Sequence, residues 1–363
     1  MARSRSEQGS SDDELGARSG LADIGQRLRR FDVTAALVHH AGRTIIEVGD
    51  VSCPVHVHSM RKSIMSALFG QAYDRGGVDL NATLRELEID DTPSLSDEEK
   101  SARIADLLAA RSGVCLPTDG GGTLRRPSRG SHPPGTFWCY NNWDFNVLGN
   151  IYERMTGRSL FVAFEHDLAR PLGMVDWDVY QHGSYQYRAD ILGGTPRYPN
   201  YTFHLSARDI ALLGQLYLNN GLWNGRQLLS PEWIAHSTEP VSRTDHQAGL
   251  LGMYGHCWWV AGPSEELSDI GIAGSCYSAI GFGGNFLTII PDLDMVVTVL
   301  TDTASWLAGS SGSHAELRMT NDCYQELLVD LAMVFADAEA KRARQIRAGR
   351  TPRATPARSP PPP

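Results

Sequence analysis

The apolar positions of this chain have strand-like spacing at its two ends and helical spacing between them. Residues 33–50, "VTAALVHHAGRTIIEVGD", read as two β-runs around the turn "HAGR". A helix is predicted from Ser59 onward, because Met60, Ile64, Leu68 and Ala72 recur every four residues and Gly76-Gly77 ends the pattern. Residues 94–113, "SLSDEEKSARIADLLAARSG", predict a further helix, opened by a capping box from Ser96 to Glu99 and closed at Gly113. The Gly- and Pro-rich residues 113–141 read as a long loop, a length that in compact domains is often functional. Helical spacing resumes in "WDFNVLGNIYERMTG" and "SLFVAFEHDLARPLGM", and again after a Ser206–Asp209 pair in "IALLGQLYLNNG". Strand patterns return in "YGHCWWVAG", "CYSAIG", "GNFLTIIP" and "MVVTVLTD", and "NDCYQELLVDLAMVFADAEA" predicts a last helix.

Strands at both ends with short links in the last third imply an antiparallel sheet rather than βαβ units. The expected fold is α+β, an α/β sandwich whose sheet joins N- and C-terminal strands and is flanked by helices. A mostly helical subdomain is inserted at about residues 75–245, and a cleft is expected where the two parts meet. Residues 1–24 read as a disordered polar leader, 25–340 as a single domain, and 341–363 as a disordered, basic, Pro-rich tail.

Composition narrows the function classes. Hydrophobic residues at 42% and charged residues at 21% are the proportions of a soluble globular protein. No window approaches 18 uninterrupted apolar residues, so no membrane span is expected, and the polar leader lacks a secretory apolar stretch, which implies a cytoplasmic protein. The net charge of −9 hides a polarity: the tail holds seven basic residues and no acid, leaving 26 basic against 42 acidic residues in the body. So acidic a body is a poor nucleic-acid binder. The six cysteines (53, 115, 139, 257, 276 and 323) form no C-x-x-C pair and read as free, mostly buried thiols.

Ser59 and Lys62 stand three residues apart at a helix start, which places them on one face. A serine is a weak nucleophile until a base removes its proton, and a desolvated lysine can do this whereas an arginine cannot. Only three of the 33 basic residues are lysine, and only Lys62 follows a serine at this spacing. Two Tyr-x-Asn sequences could supply a second proton-transfer group. Tyr217-Leu218-Asn219 reads as a helix stop, so Tyr140-Asn141-Asn142, at the end of the long loop, is chosen. In "AIGFGGNFLTIIP", Gly281, Gly283 and Gly284 allow a ligand close to a strand backbone, with the Asn285 N–H facing its carbonyl. Trp138, Tyr201 and Phe282 are candidate pocket walls. Cys139 reads as a small thiol, and His56 and His58 as poor metal ligands, since Met60 and Arg61 stand where an H-x-H-x-D-H pattern needs Asp and His. No metal or cofactor is expected.

These elements, in this order, resemble the penicillin-binding-protein and class C β-lactamase-like family of serine hydrolases. The resemblance runs from about residue 30 to 335 and includes "LLAARSGV", "FWCYNNWDFNVLG", "ARPLGM" and "LYLNNGLWNGRQLLSPEWI". It implies a β-lactamase/transpeptidase-like fold with Ser59 as the acylated nucleophile, Lys62 as its base and Tyr140 as a proton shuttle. It also implies Asn142 as a partner of Lys62 or substrate, Gly283 and Gly284 beside the substrate, and the N–H groups of Ser59 and Asn285 as the oxyanion hole. The family includes carboxylesterases, an aminohexanoate-dimer hydrolase and acyltransferases. One departure is chemical: Phe282-Gly283-Gly284 stands where β-lactamases carry a Lys-Thr-Gly type triad, so the cation and hydroxyl that hold a carboxylate are missing. The implied partner is a small-molecule ester or amide, with transfer to an acceptor and a non-catalytic binding module as the alternatives. Whether Lys62 or Tyr140 is the base stays open.

Overall fold

The structure, a computed structural model, describes residues 19–116, 118, 127–187, 197–244, 251–262, 264–304 and 318–348. Its strands are β1 (Ala35–His40), β2 (Arg43–Gly49), β3 (Val55–His56), β4 (Gly183–Gln186), β5 (Asn200–Leu205), β6 (Leu222–Trp223) and β7 (Arg226–Gln227). They continue with β8 (Ser242–Arg243), β9 (Met253–Tyr254), β10 (Trp259–Ala261), β11 (Cys276–Gly281), β12 (Asn285–Ile290) and β13 (Met295–Leu300). Eight of them form one antiparallel sheet in the order β2-β1-β13-β12-β11-β10-β9-β8. N- and C-terminal strands meet at β1 and β13, with Ala35 opposite Leu300 and His40 opposite Met295. The fold is the expected α+β arrangement.

The strands β12 and β13 are buried at every position, which explains runs such as "MVVTVL" in place of in/out alternation. On one face lies the Ala207–Leu218 helix, where Gly214 comes so close that a Cβ would stand 2.6 Å from Val296 and 2.8 Å from Leu287. On the other lies the C-terminal helix. Its Tyr324 stacks on Phe286 at 3.9 Å and donates a buried hydrogen bond to Thr288.

The segment between β3 and β8 holds helices, as expected, but also the sheet β3-β5-β4 and the hairpin β6-β7. Residues 94–113 are not one helix. The Ser96–Glu99 box forms, with both reciprocal bonds, but it caps only the 3-10 turn Glu99–Ser101. The chain then extends so that Ala102 and Ile104 bond the backbone of Leu84 and Ala82, and a short helix, Ile104–Leu108, follows. Tertiary pairing overrides local propensity there. "YGHCWWVAG" is likewise two strands, interrupted at Gly255–Trp258 with Cys257 at φ +64°. At the termini, residues 19–28 are helical, beginning within the expected leader (1–24), and the last helix (Asn321–Ala348) runs eight residues past the expected boundary. The remaining leader and tail residues, and residues 117 and 119–126 of the long loop, lie outside the described residues. All six cysteines are free, but only Cys257 and Cys276 are fully buried, fewer than expected.

The Arg61–Asp74 helix is the centre of the packing: every residue from Arg61 to Ala72 is buried, not one apolar stripe. A helix enclosed on all sides cannot rotate or shift without disturbing several neighbours at once. Gly70 makes one of these contacts possible, because a Cβ there would stand 2.3 Å from the ring of the buried Trp233. Alanine favours a helix interior over glycine by about 1 kcal/mol, whereas overpacking costs about 1–3 kcal/mol. We therefore expect Gly70→Ala to destabilise the protein despite its better helix propensity, seen as a lower urea midpoint at unchanged m-value.

Candidate active site

Ser59 lies in a single 3-10 turn, His58–Met60, between β3 and the Arg61–Asp74 helix. Three contacts fix this turn. Val57 N–H bonds Phe203 O at 3.0 Å, which ties the entry to β5. His58, at φ +48°, shares a 2.6 Å hydrogen bond with Thr303 Oγ1. Gly281 at the end of β11 passes so close that a Cβ would stand 2.3 Å from Val57 O, so only glycine brings this strand against the turn.

Lys62 follows one turn on, 2% exposed, with Nζ 2.7 Å from Ser59 Oγ. Burial, then the neighbouring Arg61 charge, holds its amine well below the usual lysine value, which favours the neutral base. Tyr140 covers the pair: it lines the cleft beside Ser59, and Lys62 Nζ lies 4.7 Å from its ring centroid. Burial raises the Tyr140 phenol, while the Ser59 hydroxyl and the Arg61 charge oppose that shift. The ring is held by Trp259, stacked at 5.5 Å, and by Phe145 at 5.2 Å and Tyr254 at 5.9 Å. The excursion between β9 and β10 closes the underside, where Ser63 Oγ donates to Cys257 O at 2.7 Å.

Ser59 and Tyr140 open into a cleft of about 390 Å³, lined also by Trp259, by Gly281, Phe282, Gly283 and Gly284, and by Arg318 and Asn321 on the segment that packs against Gly284. Phe282 stands 63% exposed at its mouth, edge-on to His58. Other expected residues fall elsewhere. Trp138 sits in the layer behind Tyr140, packed on Trp259 at 6.0 Å, and is not part of the cleft wall. Tyr201 lies under Arg61, whose guanidinium is 4.1 Å from its ring centroid, and is fully buried. Asn142 is buried as the first residue of the Asn142–Thr156 helix, outside the cleft wall. Asn285 is also out of place as an oxyanion donor. It is fully buried behind the wall, paired with Gly281 across the ladder, with its side chain bonded to Phe282 O and to the Thr301 backbone. The chain that follows Gly281 along the cleft is Phe282.

The sequence reading overlooked Trp259, Arg318 and Asn321. The adjacent Trp258 and Trp259 carried a signal, since neighbours on a strand face opposite ways; Arg318 and Asn321 gave none. His56 and His58 stack at 3.9 Å, with His204 at 5.1 Å from His56. Among the described residues, no group of three or more His, Cys, Asp or Glu side chains is placed to hold a metal. Nor, among them, is any helix long and apolar enough to cross a membrane.

Burial lowers two imidazoles, His58 and His256, to about 4. Unfolded histidines take up protons below about 6.5, while these two stay neutral in the folded protein. Stability linked to them is therefore constant above about pH 6.5 and is lost as pH falls toward 4. Thermal melts between pH 8 and 4.5 should show this decline, and His256→Gln should flatten part of it.

The sequence profile of the β-lactamase family matches residues 53–315, most of the chain. A D-aminopeptidase from Brucella anthropi is 37% identical over 62 residues, 17% of this chain and 12% of that protein's length. The fold superposes on a penicillin-binding protein homologue from Caulobacter crescentus with a TM-score of 0.60 at 14% identity, covering 89% of this chain and 97% of that one. It superposes equally, at 0.60 and 16% identity, on EstCE1, described as a hydrolase with promiscuous acyltransferase activity, covering 88% and 99%. The penicillin-binding protein homologue from Pyrococcus abyssi gives 0.57 at 16% identity, covering 84% and 76%. With the profile matching from before the Ser59 turn to beyond β13, the chain belongs to the β-lactamase family.

Proposed function

We propose that the protein is a serine hydrolase that forms an acyl-enzyme on Ser59 from a small-molecule ester or amide. The observation that carries this reading is the 2.7 Å approach of a buried, acid-free lysine to a serine that lines an open cleft. Neutral Lys62 accepts the Ser59 proton as Oγ attacks the acyl carbon, and Tyr140, beside the same serine, passes a proton to the leaving group. Water then attacks the acyl-enzyme and regenerates Ser59. The developing oxyanion is assigned to the N–H of Ser59 and, in place of Asn285, the N–H of Phe282, because that backbone lines the cleft.

The substrate reading follows from the walls. Phe282 and Trp259 offer rings where a Lys-Thr-Gly triad would offer a cation and a hydroxyl, which favours an uncharged or aromatic acyl group. Arg318, on the segment packed against Gly284, is the one cation among the lining residues. The same acyl-enzyme would accept an amine or alcohol, a second reading supported by the likeness to EstCE1.

A fluorophosphonate probe should label the wild type and fail on Ser59→Ala. Lys62→Arg, whose side chain keeps its proton, should lose labelling by about 10³-fold or more, within the range of a general-base contribution and an activated nucleophile combined. Neutral p-nitrophenyl esters should turn over much faster than nitrocefin, and rapid nitrocefin hydrolysis would overturn the reading of Phe282. Product analysis with and without an added amine separates hydrolysis from transfer: exclusive release of free acid would count against transfer.

A further inference from the structure

Arg61 is a buried cation whose presence in the core is not explained by an acidic partner. It is 3% exposed, in the first turn of the nucleophile's helix and directly before Lys62. Its Nη2 donates to Asn146 Oδ1 at 3.0 Å, and its guanidinium lies over the Tyr201 ring at 4.1 Å. Nη1 is buried with no hydrogen-bond partner. Among the described residues, every ion pair involves other cations, so no carboxylate neutralises it. A packing role alone would be served at lower cost by an apolar residue, since an unpaired buried charge is among the most expensive groups a core can hold.

We propose that Arg61 is a positioning residue for the catalytic base: a fixed positive charge, clamped by Tyr201 and Asn146, that keeps the Lys62 amine unprotonated beside Ser59. This inference rests on the acyl-enzyme reading above. An arginine holds its proton in any protein environment, so the charge cannot relax away. If Lys62 were also protonated, the site would bury two adjacent cations with no anion, and release of the lysine proton removes that repulsion. A lysine beside another cationic group is one of the ways a nucleophile or base is activated.

The other titratable groups around Lys62 do not compete. From the loop before the Asn142–Thr156 helix, Tyr140 is held as a neutral phenol by burial. Cys257, from the turn before β10, has its thiol pushed up to about 12. On the 3-10 turn, His58 is held at about 4. Asp144, which influences Cys257, is bonded to Ser112 at 2.6 Å and raised well above the usual carboxylate range by burial. Tyr201 and Tyr254, from β5 and β9, are raised by burial as well. Arg61 is thus the one permanent charge among these groups. It acts on Tyr140 in the useful direction too, easing loss of the phenolic proton.

The test is the pH dependence of fluorophosphonate labelling at Ser59, which needs no knowledge of the natural substrate. In Arg61→Gln, which retains a donor for Asn146, the acidic limb should move up by roughly one unit, so labelling at a pH below the limb slows about tenfold and recovers toward the wild-type rate at high pH. Arg61→Lys, a second folded variant whose buried amine can shed its proton where arginine cannot, should move the limb in the same direction as Arg61→Gln. A rate reduced by one constant factor at every pH in Arg61→Gln, with the limb unmoved, would make the role structural and overturn the proposal. So would a limb that moves to lower pH in either variant, since removing a fixed cation can only favour the protonated amine. Absence of labelling in the wild type would instead reject the Ser59 reading itself.

Discussion

The structure depends on one constraint: an amine must be kept out of water and yet reach a hydroxyl that substrate can approach. Burial alone would be simple, since a lysine in any core is driven neutral. Reach is the harder part, and it explains why the Arg61–Asp74 helix is enclosed from Arg61 to Ala72 while Ser59, only two residues before it, is half-exposed. The helix start is the boundary between the two environments. Lys62 extends back along the first turn, as helical side chains do, and so crosses from the core side to the cleft side within one residue's length.

The large sheet exists, for this site, to supply one wall. The strand β11 reaches the turn only because Gly281 has no side chain, and β12 and β13 are held rigid from both faces by Gly214 and Tyr324. The same sheet carries half of an aromatic group: Tyr254 of β9 and Trp259 of β10 pack with Trp138 and Tyr140, centroids about 5–6 Å apart. Such contacts add modest energy beyond area, but large planar side chains have few rotamers, and this group leaves the Tyr140 ring little freedom. A proton shuttle is useful only if its hydroxyl stays on Ser59, so rigidity here is a chemical requirement.

Much of this was legible in the chain because its cause is local. Spacing alone puts Ser59 and Lys62 together, the scarcity of lysine marks Lys62, and the position of Tyr140 before a helix marks it as a group that can reach a cleft. The misplacements have non-local causes. Trp138 is two residues from Tyr140 and packs beside it, but its ring is buried against Tyr254 and Trp259 and does not reach the cleft. Tyr201 belongs to β5, and its partner, Arg61, is 140 positions earlier. Asn285 fails by one turn: Gly281, Gly283 and Gly284 read as the start of one strand, but β11 ends at Gly281 and the register to β12 puts Asn285 behind the wall. Arg61 carries no signal in the chain, because composition cannot show that its guanidinium is buried over Tyr201.

The same places carry the strain. Among non-glycine residues with positive φ, His58 and Cys257 stand against Ser59 and Ser63, respectively, one directly before the nucleophile and the other accepting the hydroxyl next to the base. Left-handed backbone at such residues costs on the order of 1–3 kcal/mol each and persists only when surroundings over-determine it. Here they do: Thr303 holds His58, and Leu108 O receives Cys257 N–H at 2.9 Å. A relaxed turn at His58 would point Ser59 elsewhere, and a regular strand through Cys257 would withdraw the carbonyl that anchors Ser63. Together with the unpaired charge of Arg61, these two residues put two left-handed backbone positions and a costly buried charge around the Ser59–Lys62 bond. A core selected for stability alone would contain none of the three, which is the physical argument that this region was shaped by its chemistry.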